Sequence, residues 1–254
     1  MIVKQIDNFL ELLSLFAREQ TPRTLTQVSA DLELAKSSTF NMLRTLVARG
    51  VIYEVAPRAG YYPTRFLLEL TRTITEGDPI SRQVHLALES LAQQTGETVL
   101  LAARDGDEVV YVDAVESAAL VRYAAKPGDR RPVYATSGGK AILSTYPERR
   151  RKRELAAIRY TRHRQGTFGD ADSLAQELEE SVRRGWFRNL SEYTPDVTGI
   201  ALPLVIRDRR YGLSVAGPNF RMEGRHAEIA AAISDTIEGL ESNPDLSGEA
   251  PVGS

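Results

Sequence analysis

Cysteine is absent from the 254 residues, which excludes disulfides and thiolate metal sites. Histidine is scarce: His85, His163 and His226 stand far apart, with no metal-ligand spacing. No metal and no cofactor is therefore expected. No apolar run approaches the roughly 20 residues of a membrane span. The opening MIVKQIDNFL lacks the apolar core of a signal peptide. A cytoplasmic protein without a membrane partner is the expectation. An excess of either charge is lacking too. The net charge is −2, and residues 1–77 carry nine Lys or Arg against eight Asp or Glu, or +1. Any nucleic-acid contact must then rest on charge gathered on one face. Catalytic patterns are missing as well: there is no Gly-x-Ser-x-Gly elbow, and Ala141 follows Lys140 where a phosphate loop needs Ser or Thr. No catalytic residue is assigned. What is present is a 42% hydrophobic fraction over a length that suits two domains.

The stretch from Thr24 to Pro63 organises the N-terminal part. Thr24 and Gln27 have capping-box spacing, and Val28 and Leu32 share one helix face. Leu34 and Ala35 make a turn into a second helix that starts near Lys36 and stops at Arg49-Gly50. Val51 to Val55, a turn at Pro57 to Gly60, and Tyr61-Tyr62 read as a two-stranded ribbon. Two short helices followed by a ribbon form the pattern of a winged helix-turn-helix, whose second helix enters the DNA major groove. That helix sets an apolar stripe, Met42, Leu43, Leu46 and Val47, against a polar face of Ser37, Asn41, Thr45 and Ala48 flanked by Ser38 and Arg44. A solvated face on an ordinary helix has the same composition. The flanking helix, tight turn and ribbon favour DNA. Lys36, Ser37, Ser38, Asn41, Arg44 and Thr45 are the expected contacts, with Arg58 at the wing tip. Phe40, at the edge of the stripe, suits either the core or a thymine methyl.

Ahead of this stretch, Ile6, Phe9, Leu10, Leu13 and Phe16 recur at three- and four-residue steps and predict a helix over Ile6 to Ala17. After it, Phe66 to Thr75 is a further helix with Phe66, Leu67, Leu70 and Ile74 on one side, broken at Gly77-Asp78-Pro79. Ile80 to Thr95 carries Val84, Leu88 and Leu91 in register. From Gly96 the period changes to two. Glu97 to Arg104 and Glu108 to Val115 predict a hairpin, Leu120 to Ala125 a third strand, and Trp186 to Glu192, Ile200 to Ile206 and Tyr211 to Ala216 later strands. Helices are expected from about Gly139, over Leu174 to Arg184, and over Glu223 to Leu240. The basic tract Arg149 to Arg164 reads as a charged surface helix and loop. The sum is an α+β unit with a largely antiparallel sheet.

The most informative feature of this second part is Ala135-Thr136-Ser137-Gly138-Gly139-Lys140. Small residues at a helix start free backbone amides to face an anion, and Arg130 and Arg131 lie just upstream. Tight packing of the turn would demand the same residues. A second small-residue zone holds Gly199, Ser214, Ala216 and Gly217, which either pack a helix or leave room for a ligand.

Four segments in this order resemble the IclR family of bacterial transcriptional regulators, over nearly the whole chain: LAKSSTFNMLRTLVARGVI, TGETVLLAARDGDEVVYVDAVES, RRPVYATSGGKAIL and TGIALPLVIRDRRYGLSVAGP. The resemblance implies an N-terminal winged helix-turn-helix, a linking helix and a C-terminal GAF-like, antiparallel-sheet effector-binding domain. It implies a homodimer or homotetramer on double-stranded operator DNA that controls an operon, often for catabolism of small organic or aromatic acids. Carried over by motif, the effector pocket would be lined by Ser137, Gly138, Asn189, Gly199, Ser214 and Ala216. Asn41 stands where the family commonly has Arg, and Asn189 and Ala216 stand where some members are polar or acidic. With few fixed negative groups and two arginines nearby, the expected effector is a carboxylate.

The expected division is residues 1–64 for DNA, 65–79 as linker helix, 80–242 for the effector, and 243–254 as a flexible tail. The rival readings are an enzyme acting on a small carboxylate and a sensor domain acting without DNA.

Overall fold

Thr24 closes the predicted capping box. Its hydroxyl accepts from the Gln27 amide at 3.3 Å, and its own amide donates to the Gln27 side chain at 2.9 Å. In this computed structural model, which describes residues 3–57, 59–76, 79–243 and 246, that box starts the second of four helices in the first of two compact units. Unit 1 spans residues 1–78 and unit 2 the remainder. Unit 1 contains α1 (Lys4–Glu19), α2 (Leu25–Asp31), α3 (Lys36–Ala48), the strands β1 (Ile52–Ala56) and β2 (Gly60–Pro63), and α4 (Phe66–Glu76). Its core joins Leu12, Leu15, Phe16, Val28, Leu43, Val51 and Ile52. The Tyr62 ring stands edge-on to Phe16 at 5.9 Å.

The core face of α1 differs from the predicted stripe. Leu12 and Leu15 are buried with Phe16, whereas Ile6 and Leu10 are more than half exposed. The segment FLELLSLF has apolar residues on adjoining faces, so periodicity alone leaves the inner one open. On α3 the inward positions are Thr39 and Leu43, and Phe40 and Val47 are exposed. The wing is irregular, with a bulge between Glu54 and Ala56, and β2 is bridged to Arg23 by two backbone hydrogen bonds of 3.0 and 2.8 Å through Tyr61. The predicted side of α4 is largely open in the single chain: Phe66, Leu70 and Ile74 are exposed, and Leu67 packs on the core. The predicted break at Gly77-Asp78 and the tip residue Arg58 lie outside the described residues, as does most of the tail.

Unit 2 begins with α5 (Pro79–Thr95) and the hairpin β3 (Thr98–Asp105) and β4 (Glu108–Val115). It continues with β5 (Arg130–Pro132), a 3-10 turn, α6 (Ser137–Ser144), α7 (Glu148–Ala157), α8 (Ala171–Arg184) and β6 (Phe187–Leu190). It closes with β7 (Val197–Ile206), β8 (Arg209–Pro218), the one-turn α9 (Asn219–Met222) and α10 (His226–Glu241). Six strands in the order β5-β4-β3-β8-β7-β6 form one wholly antiparallel sheet. One face is covered by α5 and α10 through Val84, Leu88, Ile229 and Ile233. The other face meets α6, α7 and α8 through Ile142, Leu155 and Leu178. With the winged unit, this gives the α+β class expected.

The strand expected over Leu120 to Ala125 is an irregular loop with Leu120 and Val121 exposed. β3 is already paired on both sides, by β4 and β8, and β4 is paired by β3 and, over Glu108 to Val110, by β5. Side chains hold the loop instead, with Thr98 Oγ1 donating to the Tyr123 carbonyl at 2.6 Å and Ser117 Oγ to that of Gly96 at 2.6 Å. Helix α8 starts three residues before the predicted Leu174, because Asp170 caps it by accepting from the Ser173 amide at 2.8 Å.

Gly60 has φ +106°, and a Cβ there would lie 2.8 Å from the Arg23 carbonyl carbon. Gly60→Ala is therefore expected to lower unfolding free energy by about 1–3 kcal/mol, read as a fall in the thermal midpoint of unit 1 with unit 2 unmoved.

Candidate functional site

Helix α6 owes its start to Thr136, whose hydroxyl accepts from the Gly139 amide at 3.1 Å. The helix therefore begins at Ser137, two residues earlier than the pattern predicted, and its first amides have no intrahelical acceptor. This end is pressed onto the sheet. A Cβ on Gly212 would lie 2.3 Å from the Gly138 carbonyl oxygen, and one on Gly199 would lie 2.8 Å from Ser137 Oγ. Close packing, one of the two readings of this small-residue turn, is thus a property of the turn.

Beside that helix end lies a small cavity of about 30 Å3, room for about one water molecule. That is well under the roughly 300–1,000 Å3 of small-molecule sites, so a ligand needs the wall side chains to move apart. Ser137, Gly138, Asn189, Gly199, Ser214 and Ala216, all six residues of the expected set, line it. They come from α6 and from β6, β7 and β8. Their contributions differ. Gly199 and Ala216 supply room. Asn189 is engaged at both ends, donating to the Ala135 carbonyl at 2.8 Å and accepting from the Glu192 amide at 2.9 Å, so it holds the wall together. Ser214 Oγ has only a long 3.4 Å bond to the Leu100 carbonyl.

The expected set omitted the aromatic and cationic wall: Tyr111, Tyr123, Tyr193 and Arg131. Alternation held the signal for part of it. Arg130 and Arg131 are neighbours on β5, so they point to opposite faces. Arg130 turns outward to Asp105 and Glu108. Arg131 turns inward and is the one cation among the lining residues, which include no Asp or Glu. Its Nη1 donates to the Arg130 carbonyl at 2.7 Å, and its Nη2 lies 3.5 Å from Asp129. Its Nε is buried with no hydrogen-bond partner. Burial, with Tyr123 beside it, pushes the Tyr111 phenol well above its ordinary range. Tyr123 lies in the irregular loop after β4 rather than in the expected strand, so alternation gives no signal for it.

Lys140, one turn into α6, is fully buried. Its Nζ donates to Glu192 Oε1 at 2.6 Å and to the Arg188 carbonyl at 2.8 Å, and lies over the Phe168 ring at 4.7 Å. Burial pulls the Lys140 ammonium below its ordinary pKa and pushes the Glu192 carboxyl above its own, each opposed by the charge of the other. Lys140 is not part of the cavity lining. A Schiff-base role, which needs an accessible amine, has no support in this arrangement.

In unit 1, Lys36, Ser37, Ser38, Asn41, Arg44 and Thr45 are all exposed on α3. Thr45 returns its hydroxyl proton to the Asn41 carbonyl at 2.8 Å. Phe40, 49% exposed, is a surface residue of this helix rather than core. The N-terminus of α3 has no side-chain cap, which leaves its first amides open to a phosphate. The basic tract forms α7 and a following loop, and its charges are in part internally paired, as Arg150 with Glu154 and Lys152 with Glu148.

Residues 5–56 match the model of the IclR helix-turn-helix domain, and residues 72–241 match that of the bacterial transcriptional regulator IclR C-terminal domain. The HTH-type transcriptional regulator BhcR of Paracoccus denitrificans is 29% identical over 260 residues, covering 98% of this chain and 88% of that protein. The HTH-type transcriptional regulator KdgR of Escherichia coli is 25% identical over 84% of this chain and 82% of its own length. The fold is shared with an IclR transcriptional regulator from Alicyclobacillus acidocaldarius, with a TM-score of 0.76, 22% identity, and coverage of 94% of this chain and 98% of that one. It is shared too with an IclR homolog from Microbacterium hydrocarbonoxydans complexed with 4-hydroxybenzoate, with a TM-score of 0.70, 22% identity, and coverage of 92% and 99%.

Lys140→Ala leaves the Glu192 carboxylate buried without its partner and is expected to cost about 3–5 kcal/mol of stability. Lys140→Met combined with Glu192→Leu is expected to recover most of it. Denaturant unfolding of the two variants checks both outcomes.

Proposed function

The chain belongs to the IclR family of bacterial transcriptional regulators, and on that premise we propose that it is an effector-responsive regulator of an operon for catabolism of a small organic or aromatic acid. The observation that carries the effector half is the cavity beside the start of α6, where four separate elements bring small and polar residues together and no acidic side chain lines the wall. A carboxylate suits it, since the helix start and Arg131 both favour an anion. The relative complexed with 4-hydroxybenzoate, an aromatic carboxylate, supports the same ligand class.

In this reading residues 1–64 read DNA, 65–79 link, and 80–242 bind the effector. Lys36, Ser37, Ser38, Asn41, Arg44 and Thr45 contact the operator, aided by Arg58 from the wing. The protein works in the cytoplasm as a homodimer or homotetramer. One winged unit with a charge of +1 has little electrostatic affinity of its own, and joining copies raises it by avidity. Exposed Leu68, Leu70 and Ile74 on α4, with Ile6 and Leu10 on α1, offer apolar surface for such pairing. Effector and operator affinities are then coupled reciprocally, by about 1–3 kcal/mol. An enzyme is the less favoured reading, since the buried Lys140 is sealed in an ion pair.

Gel shifts on DNA flanking the gene test the output half. Asn41→Ala and Arg44→Ala are each expected to weaken binding by about 1–3 kcal/mol, and unchanged affinity and footprint in both would remove the assigned face. A thermal-shift screen of small carboxylates tests the input half. A ligand of the folded state raises the midpoint, and no shift across the screen would speak against the carboxylate.

A further inference from the structure

Two inward side chains fix the face that α3 turns outward. Thr39 and Leu43, both fully buried, lie four residues apart on the core side, and Thr39 Oγ1 donates back to the Ala35 carbonyl at 3.2 Å. At 3.6 residues per turn, Phe40 then points about 100° away from Thr39. It is 49% exposed. Lys36 one turn earlier and Arg44 one turn later share its flank, Ser37 borders it, and all three are exposed. Val47, two turns on, is the other exposed large apolar residue of the helix. From Lys36 to Ala48 there is no Asp or Glu.

Resting on the reading of α3 as the operator-reading helix, we propose that Phe40 is a specificity-determining residue that reads thymine, its ring packed on the C5-methyl group in the major groove. That methyl is the apolar feature a T·A pair shows there, and it is recognised by contact rather than by a hydrogen bond. Phe40 is the fifth residue of α3, in the N-terminal part that reaches base edges in a recognition helix. Ser37, Asn41 and Arg44 can match donors and acceptors, and none of those contacts tells thymine from uracil. Phe40 adds the apolar contact that the polar face lacks. The core is no alternative, since Thr39 and Leu43 already fill the inward positions. Charge decides between DNA and a protein partner. An apolar partner surface would strip water from Lys36 and Arg44 with no acid on the helix to pair them. A nucleic acid neutralises both on phosphates while the ring meets a base.

Gel shifts of the full-length protein test this on the DNA flanking the gene, trimmed to its footprint, with each thymine replaced in turn by deoxyuridine. The exchange removes one methyl and keeps every hydrogen bond. At least one position is expected to weaken wild-type binding by about fourfold, the scale of one buried methyl group. Phe40→Ala should bind the unmodified duplex less tightly and lose the sensitivity at that position. Phe40→Leu, still apolar, should keep part of it. If Phe40→Ala fails to fold by circular dichroism, Phe40→Gln, also a helix former, takes its place. Tight wild-type binding with no thymine sensitive to the exchange overturns the methyl contact and leaves the DNA reading standing. So does a sensitivity that Phe40→Ala leaves unchanged. If Phe40→Ala instead shifts the protein to smaller species in sedimentation and no thymine is sensitive, the residue is a contact between copies. No binding of the wild type to the flanking DNA overturns both readings.

Discussion

Helix α6 can exist where it does only because Gly212 has no side chain. Its carbonyl at Gly138 occupies the space a Cβ on Gly212 would need, so helix and sheet meet backbone to backbone. That contact sets the height of the helix start above the sheet, and the cavity is the space left beside it. One turn further on, Lys140 reaches the loop after β6 and pairs with Glu192 inside the protein. The pair is costly to bury and poorly replaced by half of itself. It ties the helix to the same loop whose next residues, Tyr193 and Thr194, close the cavity.

The two units solve opposite electrostatic problems. The winged unit has a net charge of only +1, so in the proposed reading its affinity for a polyanion rests on a local face, the α3 surface from Lys36 to Thr45, and on copies acting together. The sheet unit keeps acid out of its cavity wall and admits a single cation, which in the proposed reading favours a small anion without a strongly charged pocket. The chain as a whole stays near neutrality, and both preferences are made by placement.

Much of this was legible from local pattern. Thr24 and Gln27 announced a capping box, the hairpin after Gly96 formed where the period changed to two, and the small-residue turn marked the helix start that borders the cavity. The six residues carried over from the family resemblance converge on one cavity. What stayed hidden needed knowledge of neighbours. The apolar face of α1 had two adjoining candidates, and the sheet chose the hairpin and β5 as partners for β4, leaving Leu120 to Ala125 outside.

By itself, the sequence determined the order of the elements, the two-part organisation and the chemistry at the ends of α3 and α6, because caps, periods and glycines act over a few residues. The tertiary structure alone decided that Arg131 faces the cavity while Arg130 faces solvent, that Asn189 spends its amide on the wall, and that Lys140 is an internal ion-pair partner. Each of these depends on which strand lies next to which, over separations of up to about fifty residues and more, and no local pattern encodes that pairing.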